Sequence, residues 1–137
     1  MTAAGYSGTP LPKKLGIKPG HRVLLLSAPE HFESGALGEL PEGVKVGRRL
    51  GGTADVIVSF HTERADLARR MPQLRAAMEP AAGLWIAWPK RASKVPTDLT
   101  ENVVRDLALE NVLVDNKVAA LDEKWSGLRL VIRLRDR

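Results

Sequence analysis

A chain of 137 residues is long enough to bury a core without disulfides or a metal, and the absence of cysteine excludes a disulfide framework, a thiolate zinc site and a cysteine nucleophile. Twenty-one Lys and Arg against sixteen Asp and Glu give a net charge of +5, which favours an anionic ligand or partner without requiring one. The longest apolar runs, such as 23–26 and 56–58, fall far below the roughly 18 residues that span a bilayer, and residues 1–12 lack a basic segment followed by an apolar one, so no membrane association and a cytoplasmic location are expected.

In chain order, residues 1–12 mix Gly, Ser, Thr and Pro around Tyr6 and read as an irregular arm, with room for one helical turn over 13–16. Residues 22–28, introduced by Pro19-Gly20, form a short apolar run that suits a strand buried on both faces. A weaker strand is expected over 43–49, where Val44 and Val46 alternate with Lys45 and Gly47 before Gly51-Gly52. Residues 54–60 and 83–88 are two further β-rich runs that read as central strands.

Between those two runs, Thr62 is placed to cap a helix whose apolar stripe is Leu67, Met71, Leu74 and Met78, with Arg64, Arg69, Arg70 and Arg75 mostly elsewhere on its circumference. Pro72 predicts a kink or a fresh start, because a mid-helix proline costs about 3 kcal/mol. Asp98 with Glu101 three residues later has the spacing of a capping box, opening a second helix along Leu99, Val103 and Leu107 that ends near Asn111. Residues 117–122 and 128–134 read as a closing hairpin joined through 123–127, with Trp125 in the turn, where it would plug the sheet edge or dock onto a partner. Arg129, Arg133 and Arg135 would make one side of its last strand a basic, aggregation-resistant edge. The whole predicts one α/β domain over 1–137: a shortened Rossmann-like, mainly parallel sheet with helices on its faces and a C-terminal antiparallel hairpin at the edge.

The segment Leu15-Gly16-Ile17-Lys18-Pro19-Gly20-His21-Arg22-Val23-Leu24 resembles the approach to the first strand of class I S-adenosylmethionine-dependent methyltransferases, and residues 54–90 are similar to their fourth strand, following helix and fifth strand. The closing hairpin would then match their sixth and seventh strands. That resemblance implies a Gly-x-Gly loop after the first strand and an acidic residue closing the second, yet here stand Ser27-Ala28-Pro29-Glu30-His31-Phe32 and Gly47-Arg48-Arg49. No cofactor is therefore expected. Only 25 residues separate Ala28 from Ala54, which implies that at least one strand and helix of the full fold are lost. Over nearly its whole length the chain also resembles a small bacterial family of unknown function, through Tyr6-Ser7-Gly8-Thr9-Pro10-Leu11, Trp88-Pro89-Lys90, Asp98-Leu99-Thr100 and Trp125-Ser126-Gly127-Leu128. This second resemblance supports the architecture and carries no activity.

Ligands of open α/β sheets bind outside the carboxyl ends of the strands, which selects 27–32, 59–62 and 89–100 as one expected rim. The candidate ligand-binding residues there are Lys90, Arg91, Ser93, Lys94, Thr97 and Thr100 around a helix start, with His31 and His61 beside them. No metal-ligand spacing, Gly-x-Ser-x-Gly elbow or phosphate loop occurs, and no catalytic residue is named. Trp85 and Trp88 should lie on opposite faces of one strand. The sequence favours a non-catalytic binding or interaction module on a degenerate methyltransferase-like scaffold, with an anionic small molecule or a protein as partner; nucleic acid is not favoured because the aromatics are scattered. The alternative is a small enzyme or nucleotide- or anion-binding protein that uses the basic loop after the third central strand.

Overall fold

Runs of Val, Ile and Leu with no polar alternation bury both their faces, and three of them form the middle of one sheet. The structure is a computed structural model describing residues 8–137. Its strands are β1 (Arg22–Leu26), β2 (Lys45–Gly47), β3 (Ala54–Phe60), β4 (Met78–Pro89), β5 (Val114–Ala120) and β6 (Trp125–Val131), and its α-helices are α1 (Leu11–Leu15), α2 (Arg64–Ala76) and α3 (Glu101–Glu110). The spatial order is β2-β1-β3-β4-β6-β5. From β2 to β4 all pairings are parallel, whereas β6 runs antiparallel to both β4 and β5. The architecture is the expected Rossmann-like sheet with an antiparallel C-terminal edge.

Side chains alternate across this sheet. Leu24, Leu26, Ile57, Leu84 and Ile86 pack with Leu67, Met71 and Leu74 of α2 and Val104, Leu107 and Ala108 of α3. Val23, Leu25, Val56, Val58 and Phe60 pack on the other face with Leu11 and Leu15 of α1 and with Phe32 and Leu37. Trp85 belongs to the second cluster and Trp88 to the first, as their odd spacing on β4 requires. The Trp85 indole N–H donates to the Leu15 carbonyl at 3.1 Å, tying α1 to the sheet.

The link between β1 and β3 carries a six-residue π-helical turn, Phe32–Leu37, and the three-residue β2. It holds one short helical turn and one short strand, in keeping with the expected loss of a strand and helix. β2 is shorter than the expected 43–49, and β1 stops at Leu26 because Ser27 turns into the left-handed region at φ 60°. β4 begins at Met78 instead of 83: Ala54 pairs with Met78 and Val56 with Gly83, so the Glu79-Pro80-Ala81 segment bulges within the strand.

Four further expectations change. Leu11 and Pro12 open α1 and do not belong to an irregular arm; Tyr6 and Ser7 lie outside the described residues. α2 follows Glu63, not Thr62, and runs through Pro72 without a restart. Burying Leu67, Met71 and Leu74 contributes roughly 1.5–3 kcal/mol each, which offsets the roughly 3 kcal/mol cost of that exposed proline. The hairpin strands each start three residues earlier than expected, so Trp125 is in β6, paired with Pro89, and its ring meets Phe60 edge-on at 5.1 Å. Trp125 thus packs on the core and does not plug an edge. The edge strand is β5, since β6 lies inside the sheet, and Arg133 and Arg135 fall beyond the last strand. Gly127 in β6 lies close under the core: a Cβ there would sit 3.0 Å from the Trp85 ring and 3.1 Å from Leu121, so those side chains would have to give.

Asp98 does not cap α3. Its carboxylate accepts the Arg64 N–H at 2.7 Å and so caps α2 from a distant loop, while the Thr100 hydroxyl accepts the Val103 N–H at 3.2 Å and caps α3. Each cap satisfies an otherwise orphaned amide. D98A and T100A should each lower stability by about 1 kcal/mol, read as a shift of the urea unfolding midpoint; amides of the α2 first turn should lose protection from hydrogen exchange only in D98A.

Candidate functional site

The connections reverse direction around β1, with β2 on one side and β3 on the other, so the carboxyl ends of β1 and β3 flank the expected crevice. Beyond β1 the chain turns through Ser27 and His31, two non-glycine residues held at φ 60° and 70°. Phe32 then drops into the core, 3% exposed, with its ring edge-on to Phe60 at 4.9 Å. At the end of β2, Arg48 donates through Nε and Nη2 to both carboxylate oxygens of Glu33, at 2.8 and 2.7 Å. That fork holds the Arg48 guanidinium strongly protonated, chiefly through its hydrogen bonds to Glu33. A groove of about 540 Å³ remains beside this turn, lined by Ser27, Pro29, Glu30, His31, Glu33 and Arg48 among others and, among the described residues, by no glycine. His31 is on its surface, with the side chain 81% exposed.

His61, just past the end of β3, is elsewhere in every chemical sense. Its side chain is fully buried, Nδ1 lies 2.7 Å from Asp66 Oδ2 on α2, and Nε2 lies 2.7 Å from Ser59 Oγ. With a carboxylate on one side and a hydroxyl on the other, the neutral ring carries its proton on Nδ1, donates to Asp66 and accepts from Ser59. Burial pushes the imidazole pKa down, against the upward pull of Asp66, and the same hydrogen bond holds the Asp66 carboxyl below its usual range. Ser, His and Asp stand in the order of a charge-relay nucleophile, but Ser59 is 0% exposed and no substrate reaches it. The arrangement is a polar pin joining β3 to α2.

The loop after β4 divides its candidates. Arg91, Lys94, Thr97 and Thr100 line a cavity of about 480 Å³ with Trp88, Val95 and Leu99 among others. Its hydroxyls are already engaged. Thr97 donates to the Thr62 carbonyl at 2.6 Å and accepts the Leu99 N–H at 3.1 Å, while Thr100 caps α3. The Ser93 hydroxyl donates to the Lys90 carbonyl at 2.6 Å, and the Lys90 amide donates to Lys124 at 2.8 Å. Arg91 and Lys94 supply the cavity's positive charge and Glu101, which also lines it and pairs with Arg105, its negative charge, while the Lys90 main chain and the Ser93 hydroxyl serve the loop's own turn. The expected single rim is three separate places: His31 on the β1 groove, His61 buried beneath, and Arg91 with Lys94 beyond β4. Among the described residues no group of three or more His, Asp or Glu is gathered to hold a metal, and no helix is long and apolar enough to cross a membrane.

Comparison with solved structures finds a similar fold in an S-adenosylmethionine-dependent methyltransferase from Aquifex aeolicus, with a TM-score of 0.58 and 16% identity, covering 88% of this chain and 87% of that one. The chain has the class I methyltransferase fold. It is similar too to magnesium protoporphyrin IX methyltransferase from Synechocystis PCC 6803 with bound S-adenosylmethionine, at TM-score 0.57 and 10% identity, covering 90% of this chain and 74% of that one. A ribosomal protein L11 methylase from Lactobacillus delbrueckii subsp. bulgaricus matches at 0.56 and 12%, covering 90% and 75%. At these identities the likeness is one of fold. No protein-family model and no curated protein matches the sequence.

On this methyltransferase-like scaffold the residues do not fit S-adenosylmethionine in the manner that a Gly-x-Gly turn provides. Phe32 fills the space under the β1 turn, Pro29 stiffens it, and the end of β2 presents an arginine engaged by Glu33 where a ribose-binding carboxylate would be needed. Sequence reasoning did not join Ser59 and Asp66 to His61, nor Glu33 to Arg48. The i, i+2 spacing of Ser59 and His61 on one strand face was the available signal for the first; the Glu33–Arg48 pair spans a crossover and left none.

Because folded His61 resists protonation, the unfolded chain binds more protons just below the ordinary histidine pKa of about 6.5. Stability should be full above that value and fall as pH drops from there through the lowered pKa of folded His61, before Asp66 titrates at lower pH still. Urea unfolding from pH 8 to 5 should show this decline, and H61Q, though less stable at pH 8, should flatten it.

Proposed function

We propose that the protein is a non-catalytic binding or interaction module carried on a methyltransferase-like scaffold, with an anionic small molecule or a protein as its partner. The observation that supports it is the closed β1 turn: Phe32 is packed against Phe60, and Glu33 is locked onto Arg48. In a methyltransferase that turn has to let backbone approach the cofactor, and a buried aromatic ring beneath it leaves the turn no glycine path. The open groove alongside retains charged and polar side chains, Glu30, His31, Glu33 and Arg48, of the kind that orient a polar ligand. Nucleic acid fits less well, since Trp85 and Trp88 are buried and Trp125 is half-buried, leaving no tryptophan as an open stacking platform.

A second reading, a small enzyme or nucleotide- or anion-binding protein, is favoured by one specific feature: the cavity after β4 with Arg91 and Lys94 on its wall. The Thr97 hydroxyl weighs against it, because its proton is already given to the Thr62 carbonyl and Glu101 shares the lining, although the Thr100 hydroxyl, an acceptor in its cap, keeps its proton for a ligand.

Titration calorimetry with S-adenosylmethionine should give no saturable heat; micromolar, saturable binding would overturn the leading reading. With ATP as the probe, R91A/K94A should behave as the unsubstituted chain. A salt-sensitive loss of ATP affinity in that variant would move the assignment to the β4 loop.

A further inference from the structure

We propose that the cavity between α1 and β5 is a binding site for a multiply charged oxyanion, the phosphate or polyphosphate group of a small molecule. It holds about 430 Å³ and is lined by Thr9, Lys13, Lys14, Lys117 and residues 118–120 of β5. The proposal stands on its own residues, whether or not the scaffold transfers methyl groups.

Three lysines share this one lining, and no carboxylate does, among the described residues. Residues 1–7 contain no Asp or Glu to supply one. Of the acids on the hairpin, Asp115 pairs with Arg105 at 3.1 Å, Asp122 accepts the Lys124 and Trp125 amides at 2.8 Å each, and Glu123 lines a different groove.

Two of the lysines are fixed in place by a reciprocal pair of hydrogen bonds. The Lys14 ammonium, on a residue only 9% exposed, donates to the Ala120 carbonyl at 3.2 Å, and the Lys117 ammonium reaches back to the Lys14 carbonyl at 3.1 Å. Each wall of the cavity thus anchors the cation of the other. An ammonium has three donors, so the carbonyl that anchors Lys117 leaves it further N–H groups for a ligand. Burial first, then the charges of Lys117 and Lys90, push the Lys14 pKa down. Gathering like charges at a half-dry site is unfavourable unless an opposite charge joins them, and clustered lysines act on phosphate as point charges. A doubly or triply negative group matches the charge of Lys13, Lys14 and Lys117, with Lys90 adding to the field, better than a single carboxylate does.

The rival explanation is that these lysines only satisfy the last carbonyls of α1 and the end of β5. A binding measurement separates the two. Lys13 and Lys117 are exposed, so K13Q and K117Q keep the fold, whereas replacing buried Lys14 is avoided. Full-length protein is titrated with inorganic pyrophosphate by calorimetry at low and high salt, alongside K117Q, K13Q/K117Q and the R91A/K94A variant. The expected result is saturable, salt-sensitive binding that weakens about ten-fold or more in K117Q, is lost in K13Q/K117Q and is unchanged in R91A/K94A. Amide shifts at Ala119 and Ala120 should accompany it. Absence of binding, or an equal loss in R91A/K94A and K117Q, overturns the proposal, the latter because it would report net charge alone. Neither outcome bears on the S-adenosylmethionine titration, which probes a different part of the molecule.

Discussion

Three adjacent parallel strands with no polar face leave this chain one way to fold. β1, β3 and β4 bury apolar side chains both above and below the sheet, so each face needs a cover, and a short chain has few segments to provide it. α2 and α3 close one face. The other is closed by much smaller pieces, the five-residue α1 and the π-helical turn at Phe32–Leu37, with Trp85 in the same buried cluster and bonded to Leu15. This asymmetry follows from the short link between β1 and β3, and it decides what surrounds the crevice.

At that crevice, packing has taken over positions that the fold offers to a ligand. Phe32 is needed as core under β1 and β3, where a longer crossover helix would otherwise supply apolar cover, and its burial next to Phe60 constrains the turn that precedes it. Ser27 and His31 adopt left-handed backbone angles at a cost of roughly 1–2 kcal/mol each, a strain the surrounding packing sustains. The His61 pin and the Asp98 cap belong to the same pattern. Residue types that suggest chemistry at strand ends are engaged in joining β3 to α2, and the β4 loop to the start of α2.

Cations gather at two further places. Arg91 and Lys94 border one cavity, and Lys13, Lys14 and Lys117, from α1 and β5, border another. The second is the more organised, since its ammonium groups are held by main-chain carbonyls on both walls. Lysines at positions 14 and 117 are more than a hundred residues apart, so no local motif marks their meeting.

By itself the sequence determined the class of fold. Uninterrupted β-branched runs at 54–60 and 83–88, an amphipathic stripe through Leu67, Met71 and Leu74, and the alternation of Leu128 and Leu130 are local patterns whose period sets strand or helix wherever they are buried. It also determined that the glycines of a methyltransferase turn are missing, since that is a matter of which residues are present. Only the tertiary structure decided which helix Asp98 caps, that Trp125 packs on Phe60, that His61 is sealed between Ser59 and Asp66, and that Lys14 meets Lys117. Each of these depends on elements far apart in the chain being brought together, and a hydrogen-bonding side chain pairs with the nearest unsatisfied group in space, which neither spacing nor composition encodes.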